Sequence, residues 1–260
     1  MHYPVHINIF GVAVLLHSVL ELVAFFAGFR YFLYLRSRQH DIIASQNRVW
    51  IIIGAIFGAL VGSRLIGGLE NPPAMLHAEN TLYYFYSNKT VVGGFLGGLM
   101  GVELVKKIIR EKNASGDLFT YPMMLALIIG RIGCFSMGVY EETYGLPTKL
   151  PWGMRLGDVE MRHPVALYEI IFLILLWLLI VWLEKKLTLV NGAKFKLFMI
   201  NYCLFRFILD FIKPHYTFNI GLSTIQLTCL AGLIWYARFI MQPKLLLKKY
   251  TLDLREINVG

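Results

Sequence analysis

Four arginines, Arg30, Arg64, Arg131 and Arg206, stand inside stretches that are otherwise apolar. At mid-membrane each would cost roughly 2.5–3.5 kcal/mol on the most lenient insertion scale. Arg30 lies near the end of its stretch and reads as a snorkelling side chain. Arg131 and Arg206 are flanked by apolar sequence and need a partner or a wet cavity. A guanidinium fork matches a pair of phosphate oxygens and stays charged at any relevant pH. In so apolar a chain the abundant phosphate is that of a phospholipid headgroup. When a nucleophile displaces that phosphate the leaving group gains charge, and fixed cations in a dry cavity stabilise it. Carboxylates available as partners are Glu21, Glu103, Glu169 and Asp210. Asp210 follows Arg206 by four residues, so an i,i+4 pair is expected there. Glu103, beside Lys106 and Lys107, reads as ordinary.

Other chemistries lack their residues. The chain has no His-Glu-x-x-His, no zinc-type His/Cys spacing and no Gly-Lys-Ser phosphate loop. No metal and no cofactor are implied. Cys134 reads as a small buried hydrophobe rather than a nucleophile, and Cys203 and Cys229 as packing.

The elements that must hold these groups follow from composition. With 260 residues, 57% hydrophobic and only 16% charged, the chain is far from disorder. Three cysteines cannot build a disulfide scaffold. The reading is an all-α polytopic membrane protein, with spans near 11–35, 49–69, 91–109, 119–139, 165–184, 196–212 and 219–241. The net charge of +9 is read by placement and not as a sign of nucleic acid. Arg36, Arg38, Arg48, Lys106, Lys107, Arg110, Lys112, Lys185, Lys186, Lys194 and Lys196 fall in alternate connections, and Arg238, Lys244, Lys248, Lys249 and Arg255 near the end. The positive-inside rule then gives seven helices, N-terminus out and C-terminus in. A single domain spans 1–260. Residues 1–10 form an interfacial arm, 70–90 and 140–163 outward loops, the second between helices 4 and 5, and 242–260 a cytoplasmic tail. No cleavable signal peptide is visible. Gly54, Gly58 and Gly62 repeat at four, as do Gly93, Gly97 and Gly101. That spacing serves close helix packing. Gly94 and Gly98 beside them exceed what packing requires and are read as room for a headgroup.

Several segments carry a resemblance. Gly130-Arg131-Ile132-Gly133-Cys134-Phe135 ends the fourth span, and Arg162-His163-Pro164-Val165-Ala166-Leu167-Tyr168-Glu169 opens the fifth. Tyr202 to Phe211 fills the sixth, and Leu222-Ser223-Thr224-Ile225-Gln226 begins the seventh. In this order, with seven N-out spans, they resemble the phosphatidylglycerol–prolipoprotein diacylglyceryl transferase family. The resemblance covers nearly the whole chain and is strongest from Thr90 to Gln226.

That family transfers a diacylglyceryl group from phosphatidylglycerol to the lipobox cysteine thiol of a secreted prolipoprotein and releases glycerol phosphate. The resemblance implies catalytic roles for Arg131, Arg206, Tyr202, His163 and Glu169. It implies substrate-binding roles for Arg131, Arg64, Gly94, Gly98, Gly133, Glu142, Asp210 and Gln226. The partners implied are phosphatidylglycerol, a prolipoprotein signal peptide and the membrane, with no nucleic acid; a monomer is expected. The location implied is the bacterial cytoplasmic (inner) membrane, with the site facing outward.

The sequence departs from the family pattern in three places. Phe95-Leu96-Gly97-Gly98 replaces Phe-His-Gly-Gly, whose His is the proposed base. Cys134-Phe135-Ser136-Met137-Gly138-Val139 replaces Asn-x-x-Asn-Gly-Glu, and Val19 stands where a Tyr follows the first-helix His, here His17. The segment Glu141-Glu142-Thr143-Tyr144-Gly145-Leu146-Pro147-Thr148 resembles that of a branch with Gly-Arg-Ile-Gly-Cys-Phe. An acceptor thiol is already a few per cent thiolate at neutral pH, so a dedicated base helps without being obligatory. His163, Glu142 and Glu169 are the candidates. The other readings are a lipid-binding protein of the same fold, a transferase for a different acceptor, and an anion or lipid transporter. The absence of an inverted repeat speaks against the last.

Overall fold

The computed structural model describes residues 2–39 and 41–247. It is mostly helical: α1 (Leu16–Arg38), α2 (Ser45–Gly68), the short α3 (Pro72–Leu76) and α4 (Thr81–Ser87), α5 (Val91–Ile108), α6 (Asp117–Met137), α7 (Val165–Lys186), α8 (Ala193–Leu209), α9 (Thr224–Trp235) and α10 (Ala237–Met241). Two small antiparallel hairpins complete it. They are β1 (His6–Ile9) with β2 (Val12–Leu15), and β3 (Met154–Arg155) with β4 (Met161–Arg162).

Four helical segments are long and apolar enough to cross a membrane: Leu16–Arg38, Ser45–Gly68, Asp117–Tyr140 and Val165–Lys186. Their outer faces carry exposed Leu22, Phe25, Phe26, Phe29, Ile56, Phe57, Leu60, Leu175 and Leu178, an apolar surface suited to lipid rather than water. The remaining three expected spans are helices α5, α8 and α9, each shorter or more charged.

The first and last spans differ from the expected boundaries. Residues 11–15 are not helical, because Phe10 and Gly11 turn at positive φ and Val12–Leu15 pairs back on β1 as a strand. The segment expected as an interfacial arm thus forms half of a hairpin. It is tied to the end of α6 by the Val5 N–H donating to the Ser136 carbonyl at 2.9 Å. The span expected over 219–241 is a helix only from Thr224, where Ser223 and Gln226 form a reciprocal capping box, and it breaks at Tyr236. The described part of the expected tail also folds back. The Val190 N–H donates to the Leu246 carbonyl at 3.0 Å, and Leu246 is buried. Residues 248–260 of that tail lie outside the described residues.

Helices α2 and α5 pack backbone to backbone. A Cβ on Gly97 would lie 2.8 Å from Gly62 Cα and closer still to the Gly58 carbonyl oxygen. One on Gly62 would meet Gly97 Cα at 2.7 Å. The row Gly54–Gly58–Gly62 against Gly93–Gly97–Gly101 is therefore a close-approach seam, as the spacing predicts. Gly94 and Gly98 differ. A Cβ there meets only Ser63, Ala59 and Ala55, at 3.4 Å or more.

The end of α6 needs its glycine for conformation as well as space. Gly138 has φ +60°, and a Cβ on it would collide with the Leu156 carbonyl oxygen. The chain there enters the 140–163 loop, which is braced to the segments that follow α6 and α8. Leu146 N–H donates to the Ile212 carbonyl at 2.8 Å, and Val139 N–H to that of Leu156 at 2.9 Å.

Gly97→Val should disrupt the α2–α5 seam by about 1–3 kcal/mol or more, as overpacking does. Gly94→Ala should leave stability within about 0.5 kcal/mol. Thermal unfolding of the detergent-solubilised variants checks the contrast; equal losses would refute the assignment of the seam.

Candidate active site

The polar centre is built by three helices around one carboxylate. Glu169 lies in the second turn of α7 and is fully buried. Arg131 projects from α6, and Tyr202 and Arg206 from α8, one turn apart and so on one face. Tyr202 Oη donates to Glu169 Oε1 at 2.7 Å. Arg206 Nη1 donates to Oε2 at 3.0 Å. Arg131 Nε lies 2.9 Å from Oε1 as an ion pair, but its N–H is not aimed at that oxygen. The two arginines are only 8% and 5% exposed. Nε–H of both is buried without a hydrogen-bond acceptor. Two guanidiniums against one carboxylate leave one uncompensated positive charge, with buried donors to spare.

Packing sets these side chains. The Tyr202 ring stacks on Phe198 at 5.6 Å and meets Phe95 edge-on at 5.2 Å, which fixes the hydroxyl on the carboxylate. Leu96 next to Phe95 takes an apolar role, its Cδ atoms lying 3.2 and 3.5 Å from where a Cβ on Gly232 of α9 would sit.

The other expected site residues divide. Asp210 does not pair with Arg206 as the i,i+4 spacing suggests, because Arg206 reaches across to α7. Instead Asp210 accepts from Ser223 Oγ and lies 3.8 Å from His215 Nδ1, with Oδ1 buried and unpartnered. Arg64 is held apart from the carboxylate cluster. It donates to the Tyr86 carbonyl, and its guanidinium lies 4.9 Å over the Tyr86 ring. Gln226 is buried and used internally. Its Oε1 accepts from Ser223 N–H at 2.9 Å and its Nε2 donates to the Phe207 carbonyl at 3.4 Å. His163 Nδ1 is 3.2 Å from Tyr168 Oη, which also accepts from Trp152 Nε1 at 2.9 Å. Glu142 is exposed on its loop. Gly133 faces His17, whose Nδ1 would be 3.1 Å from a Cβ there.

Sequence reasoning missed two groupings. The first is Lys213 with Glu70. Burial pushes the Glu70 carboxyl above its ordinary range, with Lys213 and Arg206 opposing the shift. Burial likewise lowers the Lys213 ammonium. The second is His17, Cys134 and Glu141, whose donor atoms all lie within 4.8 Å of one another. Residues this far apart in the chain leave no motif to find.

Replacing Glu169 by Gln leaves two buried guanidiniums facing a neutral amide and should cost about 3–5 kcal/mol, read as a lowered unfolding midpoint. Glu70 supplies a pH signature. Its raised pKa means the native state keeps a proton that the unfolded chain has lost. Stability therefore falls as pH rises from about 4.3 through the raised value. Glu70→Gln should flatten that slope in thermal melts across the acidic range, and an unchanged slope would place its origin elsewhere.

With this geometry in view, similarity to known proteins is specific. The family model described as prolipoprotein diacylglyceryl transferase matches residues 4–242. A Cupriavidus metallidurans protein named phosphatidylglycerol--prolipoprotein diacylglyceryl transferase is 31% identical over 238 residues, covering 86% of this chain and 85% of its own. One of the same name from Idiomarina loihiensis is 32% identical over 225 residues, covering 81% and 80%. A third, from Bordetella parapertussis, is 34% identical over 178 residues, 63% of each chain.

Proposed function

The chain belongs to the prolipoprotein diacylglyceryl transferase family, and on that premise we propose that it moves the diacylglyceryl group of phosphatidylglycerol onto a lipobox cysteine thiol at the Arg131–Glu169–Arg206 cluster. The thiolate sulfur attacks the glyceryl carbon bonded to the phosphate oxygen. A C–S bond forms, the C–O bond breaks, and its electron pair leaves with glycerol phosphate. The phosphodiester carries one negative charge and the released monoester nearly two, so the pocket must favour added negative charge.

The observation that carries this reading is the charge count. Glu169 neutralises one of two buried guanidiniums, and the Nε–H groups of Arg131 and Arg206 have no hydrogen-bond acceptor. A phosphate entering there meets fixed donors that need not reorganise as its charge grows. Glu169 is thereby a positioning residue, since its oxygens already take Arg206, Tyr202 and Arg131. The same occupancy argues against Glu169 as the base for the thiol. His163, paired with Tyr168 at the loop, is placed for the incoming peptide rather than for the phosphate.

The proposed topology has α1, α2, α5, α6, α7, α8 and α9 crossing the membrane, with the N-terminus out. The basic residues Arg36, Arg38, Lys106, Lys107, Lys185 and Lys186 close the inward ends of α1, α5 and α7. Arg131 near the end of α6 and Glu169 near the start of α7 then face outward, under the 140–163 loop. That side is where a secreted precursor presents its cysteine. The bacterial inner membrane is the setting, and the chain acts as a monomer.

The test uses purified protein in phosphatidylglycerol vesicles with a lipobox peptide, read by mass spectrometry for diacylglyceryl addition on cysteine. Modification is expected with the Cys peptide and not with its Ser counterpart. Arg131→Ala should lower the rate by at least about 100-fold, the loss typical of removing one such electrostatic donor. A folded Arg131→Ala protein with full activity would overturn the assignment.

A further inference from the structure

Most groups that could take up the acceptor thiol's proton are otherwise engaged. Leu96 is apolar and packs towards α9. The Glu169 oxygens are taken, Glu142 is exposed on its loop, and His163 Nδ1 lies against Tyr168 Oη. His215 Nδ1 is 2.8 Å from the Lys213 carbonyl, within the bracing of α8 to α9. His17 differs from all of these. It stands in the first turn of α1 and packs on α6, where a Cβ on Gly133 would come within 3.1 Å of its Nδ1. That Nδ1 and Glu141 Oε2 are 3.6 Å apart, both buried and neither with a hydrogen-bond partner. Both lie within 4.8 Å of Cys134 Sγ, to which Arg131 Nη1 donates at 3.6 Å. One side chain, Cys134, thus links this imidazole to the arginine cluster.

We propose that His17 is the general base for the acceptor thiol and that Glu141 is the positioning residue that orients its ring. The proposal rests on the function proposed above. Nδ1 keeps its hydrogen directed at Glu141 Oε2, which leaves the Nε2 lone pair to take the proton. A base oriented by a carboxylate is the arrangement that activates a weak nucleophile. The 3.6 Å contact is longer than a hydrogen bond, as such contacts often are before substrate binds, and it tightens in the complex. Nε2 points the other way, along α1. It lies 4.0 Å from Glu21 Oε2, and Glu21 Oε1 accepts from Lys89 Nζ at 2.9 Å, just before α5 begins.

The charged and titratable groups around the ring are Glu141 from the loop, Glu21 on α1, Lys89 before α5, and Cys134 with Arg131 behind it on α6. Glu21 offsets Lys89, so Glu141 is left to compensate the imidazolium. The protonated base therefore carries its own counter-ion and adds no net charge beside the arginines. In the reaction the thiol proton passes to Nε2 while the sulfur electron pair forms the C–S bond. The C–O bond breaks towards the phosphate, and the imidazolium then returns its proton to solvent. No atom changes its oxidation state.

The experiment measures diacylglyceryl addition to a lipobox peptide by the full-length protein in phosphatidylglycerol vesicles, from mildly acidic to alkaline pH. The wild-type rate should rise through the imidazole range and level off. His17→Gln should lose that limb, and its rate at neutral pH should fall at least about 100-fold, as on removal of a positioned base. It should recover towards the wild type above about pH 8.5, where the peptide thiol ionises by itself. Glu141→Gln leaves the ring in place. It should lower the neutral rate less and move the limb to lower pH, because an imidazolium without its carboxylate is less favoured. His215→Gln should keep both rate and limb. The base assignment is overturned by an unchanged profile in His17→Gln, by an equal loss there at neutral and alkaline pH, or by an unmoved limb in Glu141→Gln. It is equally overturned if His215→Gln is the variant that loses the limb. Each of those results leaves the transferase reading intact. A wild type that forms no product at any pH would instead overturn the transferase reading, and the base with it.

Discussion

The molecule is organised around one carboxylate that has no contact with solvent. Glu169 is fully buried, and alone it would carry a desolvation cost of several kcal/mol. It is stable only because Arg131, Arg206 and Tyr202 reach it from two other helices. Those contacts dictate how α6, α7 and α8 rotate about their axes. A slip of one residue on any of them turns its polar group by about 100° and leaves a charge unpaired. The acid makes it possible to bury two guanidiniums side by side. It offsets one of their charges, keeps them from repelling each other apart, and leaves one positive charge over.

The rest of the fold supplies rigidity and access to that centre. The α2–α5 seam is a backbone contact with no side chains to flex, so α5 presents Phe95 and Leu96 to α8 and α9 from a fixed platform. Tyr202 is wedged between Phe95 and Phe198, and its hydroxyl cannot swing away from Glu169. On the other side, hydrogen bonds from the 140–163 loop to Ile212 and within itself to His163 tie the mouths of α6, α7 and α8 together. Asp210 belongs to this bracing. Held by Ser223, it joins the end of α8 to the capped start of α9.

How much of this was legible in the sequence depended on the range of the interaction. The long apolar helices and the glycine seam are local patterns, and they stand where the sequence places them. The first boundary was misread because Val12–Leu15 is as apolar as a membrane span, and hydropathy cannot tell a strand from a helix over four residues. Arg131, Arg206, Tyr202 and Glu169 were identified individually, and the structure brings all four together. The partner of Arg206 was misassigned to Asp210 because the i,i+4 rule sees one helix, whereas the pair that forms crosses from α8 to α7. Arg64 entered by its place in an apolar stretch as well as by resemblance, and Gln226 and Glu142 by resemblance. The structure gives Arg64 to Tyr86 and Gln226 to a helix cap, which a sequence pattern cannot separate from substrate contacts. His17 and Glu141 could not be paired at all from a chain in which more than a hundred residues lie between them.

On the proposed reaction, the surplus charge of the cluster also constrains the acceptor thiol. A lone imidazole that took up its proton beside the cluster would become a second cation next to a pocket already in positive excess, where low dielectric makes the repulsion strong. The same field favours the thiolate form of a cysteine brought near it, as neighbouring cations do. Arg131 is held at both ends, its Nε 2.9 Å from Glu169 and its Nη1 donating to Cys134 Sγ at 3.6 Å. A guanidinium fixed in this way need not reorganise as charge moves from sulfur to the leaving phosphate, so its arrangement is settled in folding rather than in the reaction.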